Sequence, residues 1–468
     1  MNGLTVRRLG FAILLSLVSL QLLQAQPGSL NKTFDPSSAI NWEVNVAARQ
    51  PDGKILIGSA LMSDTNFQRS VVIIRVNALG VKDPSFNLGV AATNLPSLTV
   101  MMVQTNGQII VGGFGNGGIA RLNPDGSKDA GFKGKLDEPG YLTCMDQQPD
   151  GKLLIGAGFT TLEGTGRSLV ARLNADGTLD SSFKLSSTPI LPEPTAIAVL
   201  KDGKVLVGGG EIFGTNNLVL ARLNPNGSFD RTFYEGLPLM DGARPIINVI
   251  RVLEDGRILV AGYYVGPFES YSPFVLRLLA DGTRDPSFTI FNATYSAVNS
   301  LVVEPSGKIV VAGQGSDYLE GTPPTRWGLL TRLNADGTVD KSFNAGNPIG
   351  LGLTASTNAP GIRSMTYAPP GNVLIAGRFN YVGDTLRNGV ALIQAGEVTT
   401  LVNPLRKTNS FSFSFLSEPL KNYQFQYRTS LSTSNWNPLG SLTGDGSLKT
   451  LTDSNAVDAQ RFYRVITP

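Results

Sequence analysis

The segment ARLNADGTLDSSF (residues 171–183) recurs along the chain and indicates a fold built from repeats. A nearly identical copy, TRLNADGTVDKSF, occupies residues 331–343, and four looser copies lie elsewhere. In all six copies an Arg precedes a turn with Gly, and a Phe stands six residues after that Gly. The Arg residues of the six copies are Arg75, Arg121, Arg172, Arg222, Arg277 and Arg332. Regular recurrence of this kind is typical of repeat architectures.

A second motif, a turn of the type QPDGK, accompanies the first. It occurs seven times, with 44 to 64 residues between successive copies. Its glycines are Gly53, Gly107, Gly151, Gly203, Gly256, Gly307 and Gly371. Short β-branched runs flank these turns, which is typical of strands joined by tight hairpins. Each unit is therefore predicted to contain four strands.

One unit is divided between the two ends of the repeat region. The seventh copy of the first motif, which starts at Ala391, lacks the Arg, the Asp and the Phe. The segment GSLNKTF (28–34) carries the missing half with the same Gly-to-Phe spacing. We expect residues 28–34 to pair with the strand near 388–395. The prediction is an all-β fold: a seven-bladed β-propeller over residues 26–397, closed by an N-terminal strand that covers a sheet edge.

The two motifs together resemble the delta-60 repeat family of secreted bacterial proteins. The resemblance covers residues 28–396. It implies a propeller-like repeat fold. It implies no activity, because this family is defined by its repeat and not by a reaction.

The first 25 residues have the pattern of a secretory signal peptide. Arg7 and Arg8 precede an apolar run at 9–23, and Ala25 offers a cleavage point. We expect cleavage and a secreted, periplasmic or cell-surface location, with an uncleaved anchor as the alternative. Cleavage would leave 37 basic and 36 acidic residues. A near-neutral chain without a basic run argues against a nucleic-acid partner, and no other segment is long and apolar enough to span a membrane.

The segment 398–468 has a different pattern. Apolar and polar residues alternate in SFSFSF (410–415) and YQFQY (423–427), which indicates strands. About 70 residues suffice for a small β-sandwich-like module similar to fibronectin-type or immunoglobulin-type domains. The chain has a single Cys, so no disulfide supports a true immunoglobulin domain.

The repeated motif allows two interpretations. Asn174, Asp176 and Asp180 offer oxygen ligands at a spacing that calcium loops use. Against this, Arg172 stands where the calcium loops of other propellers begin with Asp, and a fixed cation repels a divalent ion. The favoured interpretation is a structural ion pair between the Arg and the Asp eight residues later, with no metal and no cofactor. The predicted pairs are Arg121–Asp129, Arg172–Asp180, Arg222–Asp230, Arg277–Asp285 and Arg332–Asp340, with Arg75–Asp83 in the first unit.

The composition limits the catalytic alternatives. The chain has no His, which excludes Ser-His-Asp and Cys-His catalysis. Cys144 lies seven residues before its turn glycine, where the other units have Val, Ala or Ser, so we expect a buried thiol. A pair of carboxylates could still catalyse glycoside hydrolysis, although no pair is apparent. The run GFGNGG (113–118) lacks the helix of a phosphate-binding loop and is interpreted as a shortened loop.

The length variation falls on one set of loops. The first-to-second and third-to-fourth turns of each unit are short, whereas the other connections vary, and variable loops on a rigid scaffold commonly carry binding sites. Aromatic residues and one Arg in two of these loops are candidate binding residues, with packing onto the blades as the alternative. They are Tyr263, Tyr264, Phe268, Tyr271, Tyr318, Arg326 and Trp327. We expect a secreted, monomeric, non-enzymatic binding or scaffold protein for a polysaccharide or protein partner. The alternative is a carboxylate-based carbohydrate-active enzyme on the same face.

Overall fold

A computed structural model gives the structure of the protein. It describes residues 27–62, 69–88, 95–115, 117–136, 140–158, 161–162, 165–166, 169–185, 191, 193–210, 219–233, 243–266, 271–292, 296–317, 325–343, 351–352, 361–369, 371–395, 402–417, 422–429, 436–445, 447–458 and 461–466. The predicted signal peptide at 1–25 lies outside the described residues.

The fold is all-β. The described residues form 33 strands and no helix. The strands within 27–395 are β1 (Val46–Arg49), β2 (Ile55–Met62), β3 (Arg69–Val76), β4 (Ser97–Val103), β5 (Ile109–Phe114), β6 (Ile119–Leu122), β7 (Tyr141–Gln147), β8 (Leu153–Gly158), β9 (Thr161–Leu162), β10 (Thr165–Gly166), β11 (Val170–Leu173), β12 (Glu193–Val199), β13 (Val205–Gly210), β14 (Leu220–Leu223), β15 (Arg244–Val252), β16 (Ile258–Val265), β17 (Tyr271–Leu278), β18 (Phe291–Asn292), β19 (Ser296–Val303), β20 (Ile309–Asp317), β21 (Thr325–Leu333), β22 (Leu351–Gly352), β23 (Gly361–Ala368), β24 (Asn372–Arg378), β25 (Tyr381–Val382), β26 (Thr385–Leu386) and β27 (Val390–Gln394). The strands within 402–466 are β28 (Val402–Lys407), β29 (Ser410–Leu416), β30 (Asn422–Arg428), β31 (Asn437–Thr443), β32 (Leu448–Asp453) and β33 (Phe462–Ile466).

Each repeated unit is a meander of three antiparallel strands. In the first unit β1 pairs with β2, and β2 pairs with β3. The predicted fourth strand is reduced to a single bridge, such as Leu173 with Leu179 in the third unit. The reason lies in the next residue, because the Asp180 carboxylate accepts the backbone N–H of Ser182 at 2.9 Å and turns the chain away. Local side-chain bonds of this kind compete with a sheet ladder.

The N-terminal segment pairs with β27, the last strand of the repeat region. Leu30 forms an antiparallel bridge with Ile393. The Asn31 N–H donates to Leu392 O at 2.8 Å, and the Gln394 N–H donates to Ser29 O at 2.8 Å. Residues more than 360 positions apart thus share one sheet edge, at the position where the other units carry their own fourth-strand bridge.

The apolar core is divided into clusters that lie between consecutive units. For example, Leu56 and Ile73 of the first unit pack with Ile109 of the second. The same arrangement joins each unit to the next along the chain. A further cluster combines Ile57 of the first unit with Leu374 of the last one. Each unit therefore buries both of its faces against neighbours, and the last unit packs against the first.

Residues 402–466 contain two three-stranded antiparallel sheets, in the orders β28-β29-β32 and β31-β30-β33. Phe415 of one sheet packs against Tyr423 and Phe425 of the other, with ring centroids 4.8 and 5.7 Å apart. These three side chains are at most 2% exposed. Alternation of apolar and polar residues along β29 and β30 places the aromatic rings on the facing sides of both sheets.

Candidate functional site

The Arg of the repeated motif joins two units. In the third unit, Arg172 Nε donates to Asp180 Oδ2 at 2.8 Å, and Nη2 donates to Ser182 Oγ at 3.1 Å. Nη1 reaches the next unit and donates to Pro225 O at 2.7 Å. The guanidinium also lies over the ring of Phe183, 5.0 Å from its centroid. The Arg, Asp and Phe of the motif thus form a single contact group, which we call the clasp.

The clasp is repeated in six units. Each Arg Nε lies 2.7 to 2.9 Å from its Asp, and each guanidinium lies 4.7 to 5.1 Å from its Phe centroid. Five of the Arg residues also donate to a turn carbonyl of the next unit. These contacts are Arg75 to Pro124 O, Arg121 to Ala175 O, Arg172 to Pro225 O, Arg222 to Ala280 O and Arg277 to Ala335 O. Arg332 instead donates to Glu304 Oε1 at 3.4 Å.

The second repeated motif contacts the same carboxylates. Lys152 Nζ of the third unit lies 3.0 Å from Asp180 Oδ2, and Lys204 of the fourth lies 2.9 Å from Asp230. Burial alone would raise the pKa of Asp180, but hydrogen bonds from Ser182, Lys152 and Arg172 outweigh it and hold the pKa well below its usual range. The two motifs therefore meet at one carboxylate in each of the six units that carry the clasp.

The clasp leaves no shared ligand set for calcium in the motif. Asn174 Nδ2 donates to Thr178 Oγ1 at 3.0 Å, and Asp176 accepts the N–H of Thr178 at 3.0 Å. The Asp180 carboxylate is directed at Arg172. The three side chains thus bond to different partners within the hairpin. Within the described ranges, no group of three or more acidic or Cys side chains is placed to hold a metal ion.

The predicted aromatic residues do not form one exposed cluster. Tyr264 is 4% exposed and packs on Phe274, with ring centroids 4.8 Å apart. It therefore belongs to the core, in agreement with the alternative that these aromatic residues pack onto the repeated units. Burial raises the pKa of Tyr264 to about 12. Tyr263 is half-buried on β16. Phe268 and Tyr318 lie outside the described residues.

Three further candidates lie on strands and not in loops. Tyr271 pairs with Val265, because β16 and β17 extend past the expected loop boundaries. Arg326 and Trp327 lie on β21 and pair with residues of β20. The variable connections of the fifth and sixth units are therefore partly long hairpins. The glycine run at 113–118 is a tight turn in which the Gly113 N–H donates to Gly118 O at 2.9 Å, and β6 follows it directly.

The innermost strands of the seven units line one cavity. β1, β4, β7, β12, β15, β19 and β23 enclose a volume of about 720 Å³. Each unit carries one polar residue eight positions before the turn glycine, and all of these residues except Asn45 line the cavity. These residues, which we call the polar layer, are Asn45, Thr99, Thr143, Thr195, Asn248, Asn299 and Arg363.

The polar layer connects each unit to the next. Thr99 Oγ1 donates to Leu142 O at 2.7 Å, Thr143 Oγ1 donates to Pro194 O at 2.6 Å, and Asn248 Nδ2 donates to Val298 O at 2.9 Å. Asn45, Thr195 and Asn299 make the same type of contact. Arg363 of the last unit donates to Asn45 Oδ1 of the first. The series of hydrogen bonds therefore returns to the unit where it began.

A β-bulge accompanies the polar layer in six units. The strand register shifts at the polar-layer residue of β4, β7, β12, β15, β19 and β23. A bulge re-aims a side chain out of the regular pleat, which here turns it toward the neighbouring unit. The residue opposite must be small. A Cβ on Gly313 would lie 1.8 Å from Ala297 O.

Sequence reasoning missed the polar layer. Cys144 lies seven positions before its turn glycine, whereas the polar-layer residues lie eight positions before theirs. All seven residues at the eighth position are polar, so an alignment of the units at that position would have revealed the layer. Cys144 is 8% exposed, and burial raises the pKa of its thiol to about 12. The thiol is therefore protonated at neutral pH and is a poor nucleophile.

Four charged side chains line the cavity: Arg49, Asp146, Arg251 and Arg363. The Asp146 carboxylate accepts two backbone N–H groups, from Val199 of the next unit and from Gln147, both at 2.8 Å. Arg251 Nη1 donates to the Ile250 carbonyl at 3.0 Å. Asp146 is the single carboxylate among the described lining residues, so the two-carboxylate arrangement of a glycosidase is not found within that lining.

The sheets, the repeated clasps and the shared cavity define the protein as an all-β repeat protein with propeller-like units. Six segments, residues 50–86, 104–132, 148–183, 200–233, 253–288 and 304–343, match the family model described as a domain of unknown function (DUF5122) beta-propeller. These six segments are therefore similar to the repeats of that β-propeller family. The matched segments cover both repeated motifs of each of the first six units.

The comparison with solved structures gives distant similarities. A puromycin hydrolase mutant complexed with PGG has 12% identity and a TM-score of 0.34, and the alignment covers 94% of this chain and 57% of that one. BamB from Moraxella catarrhalis has 11% identity and a TM-score of 0.31, with 79% and 92% covered. A glycoside hydrolase has 11% identity and a TM-score of 0.31, with 94% and 97% covered. At this level the similarities say nothing about activity.

Two further comparisons are negative. No curated protein matches the chain. In the part of the chain that the structure describes, we find no apolar helix with the length that a bilayer span requires.

Proposed function

We propose that the protein is an exported, non-enzymatic binding scaffold. In this proposal residues 26–397 form a seven-bladed ring that is closed by the N-terminal segment, and residues 398–468 form a separate β-sandwich-like module. Residues 1–25 would be removed on export. The partner would be a polysaccharide or another exported protein, bound by the variable connections on one face of the ring.

Three observations support a closed ring. An apolar cluster joins Ile57 of the first unit to Leu374 of the last. The N-terminal segment supplies the bridge that the last unit lacks. The polar layer links Arg363 back to Asn45. Each contact brings together residues from opposite ends of the repeat region.

One observation carries the assignment as a scaffold. The charged residues of the two repeated motifs bond to one another and to the next unit, as Arg222 does with Asp230 and Ala280 O. Side chains that hold the fold in this way are not free to bind a ligand. In this proposal the residues that differ between units lie in the variable connections, where recognition of a particular partner can evolve without cost to the scaffold.

The test is a binding screen with the mature protein, residues 26–468. The screen uses a glycan array and the proteins that the same cells export. We expect one class to bind, and we expect the double variant Tyr263→Ala/Trp327→Ala to weaken binding at least tenfold. The control is Val81→Ala/Val339→Ala, which truncates two exposed side chains in the repeated turns on the other face. Equal binding by both double variants would reject these connections as the site. Release of reducing sugar from a bound glycan would instead favour the carbohydrate-active enzyme.

A further inference from the structure

The cavity carries an excess of positive charge. Three guanidinium groups, of Arg49, Arg251 and Arg363, line it against the one carboxylate of Asp146. The remaining described lining residues are apolar or neutral, so the lining itself carries two more positive than negative charges. Outside the lining, Asp52 interacts with Arg49 and Glu43 interacts with Arg363. The charges of the lining lie on the innermost strands, which the clasps and the polar layer hold in place.

The single carboxylate compensates these cations poorly. Both oxygens of Asp146 accept backbone N–H groups, and burial raises the pKa of this carboxyl. Arg251 is an exposed residue that lines the cavity, and desolvation by the strands around it lowers the pKa of its guanidinium. Burial likewise lowers the pKa of Arg49. The charge that raises the pKa of the Arg49 guanidinium is the carboxylate of Asp52, which lies in the turn that follows β1 and not in the cavity lining. An anion in the cavity would give both guanidinium groups a further negative partner within the cavity itself.

The cations lie at two levels. Arg363 belongs to the polar layer, eight positions before its turn glycine, whereas Arg251 and Arg49 lie five and four positions before theirs. With a rise of about 3.3 Å per residue, three positions along a strand separate the two levels by roughly 10 Å. The volume of about 720 Å³ is within the range of about 300–1,000 Å³ that is usual for small-molecule sites.

We propose that the cavity binds a small multivalent oxyanion, a carboxylate or a phosphate compound, through Arg49, Arg251 and Arg363. Guanidinium groups suit this role because their planar N–H donors match the two oxygens of a carboxylate or phosphate. The threonine and asparagine side chains of the polar layer are already bonded to neighbouring units, which leaves recognition to the arginines. This site is separate from the variable connections, so it does not rest on the proposed function.

The test is isothermal titration calorimetry of the mature protein with citrate and with inorganic phosphate, at constant ionic strength set with sodium chloride. We expect saturable binding of at least one probe with one site per chain. The double variant Arg49→Gln/Arg251→Gln should weaken it at least tenfold. Arg231→Gln, which removes an exposed charge outside the cavity, should leave it unchanged. Preference for citrate or for phosphate identifies the class of oxyanion.

A variant that should bind the anion more tightly separates an effect on the site from loss of folding. Asp146→Asn removes the negative charge and keeps an oxygen acceptor, so it should tighten anion binding several-fold. Absence of saturable binding by both probes would overturn the proposal. Unchanged affinity in both Arg49→Gln/Arg251→Gln and Asp146→Asn would also overturn it. If the double variant fails to fold, as judged by circular dichroism, Asp146→Asn and the single variant Arg363→Gln decide.

Discussion

Replacement of Arg222 by Ala removes one complete clasp. Arg222 is 7% exposed and lies between the fourth and fifth units. Its Nε donates to Asp230 Oδ2 at 2.7 Å, and its Nη1 donates to Ala280 O of the next unit at 2.5 Å. Its guanidinium lies 4.7 Å from the centroid of Phe233. The substitution therefore weakens both a hairpin and the contact between two units.

The size of the effect follows from these contacts. A hydrogen bond to a charged group contributes about 1.5–3 kcal/mol, and a cation–π contact about 0.5–2 kcal/mol. Asp230 would keep Lys204 at 2.9 Å and the hydroxyl of Thr232 at 2.6 Å, so its charge would not be left alone. We therefore expect a loss near the range of about 3–5 kcal/mol that is usual when one partner of a buried ion pair is removed.

The assay is urea unfolding of the mature protein at pH 7, followed by circular dichroism. Arg231→Ala is the matched control, because Arg231 is the exposed neighbour of Asp230. An exposed substitution of this kind changes stability by less than about 0.5 kcal/mol. The reasoning is refuted if Arg222→Ala and Arg231→Ala unfold at the same urea concentration.

Three further predictions concern stability and reactivity. First, Asp180, Asp230, Asp285 and Asp340 have pKa values held below the usual range, since hydrogen bonds from neighbours outweigh the effect of burial. Their contribution to stability is complete above the unfolded pKa of about 3.9 and declines as the pH falls below it; ellipticity that is unchanged down to about pH 2 would contradict this. Second, Gly313→Ala should lower the free energy of unfolding in urea by more than about 1 kcal/mol, because the added Cβ would collide with Ala297 O. Gly210→Ala is the control and should have little effect, because the atom nearest to its added Cβ would lie 3.4 Å away. Third, the buried Cys144 thiol should react with a thiol reagent in urea but not in the native protein, and rapid labelling of the native protein would show that the site is open.

The contacts within a unit could be predicted from the sequence. The Arg and the Asp that correspond to Arg172 and Asp180 are both present in six units. Both are absent in the seventh unit, where Ala391 and Asn31 replace them, and this joint loss indicates a contact. The spacing of GSLNKTF likewise predicts that residues 28–34 complete the last unit. In both cases the repeats act as internal comparisons. A hairpin also brings its two strands together whatever the rest of the chain does.

The contacts between units could not be predicted in the same way. The bond from Arg172 to Pro225 O spans two units, so it depends on how they pack. The bulge that directs Thr143 to Pro194 O depends on the same packing. The sequence left open whether Tyr264 binds a partner or packs in the core. It is buried because the strands β16 and β17 extend further than the short apolar runs indicate, so a residue expected in a loop lies within a sheet.

A disulfide between cysteines introduced by Leu30→Cys and Ile393→Cys would test whether the N-terminal segment closes the ring. These two residues form an antiparallel bridge that is flanked by the Asn31–Leu392 and Gln394–Ser29 hydrogen bonds. A pair so placed has a Cα separation of about 4.5 Å, which a disulfide accepts. The substitutions are made in a Cys144→Ala background, with each single Cys variant as the control.

If the ring is closed in this way, mild oxidation should form the intramolecular disulfide in nearly every molecule. A band of altered mobility should appear on non-reducing gels. The free energy of unfolding measured in urea should rise by on the order of 5 kcal/mol, because the disulfide closes a long loop. Single Cys variants should show neither effect. Persistence of two free thiols in the folded double variant, or formation of intermolecular dimers alone, would contradict closure of the ring.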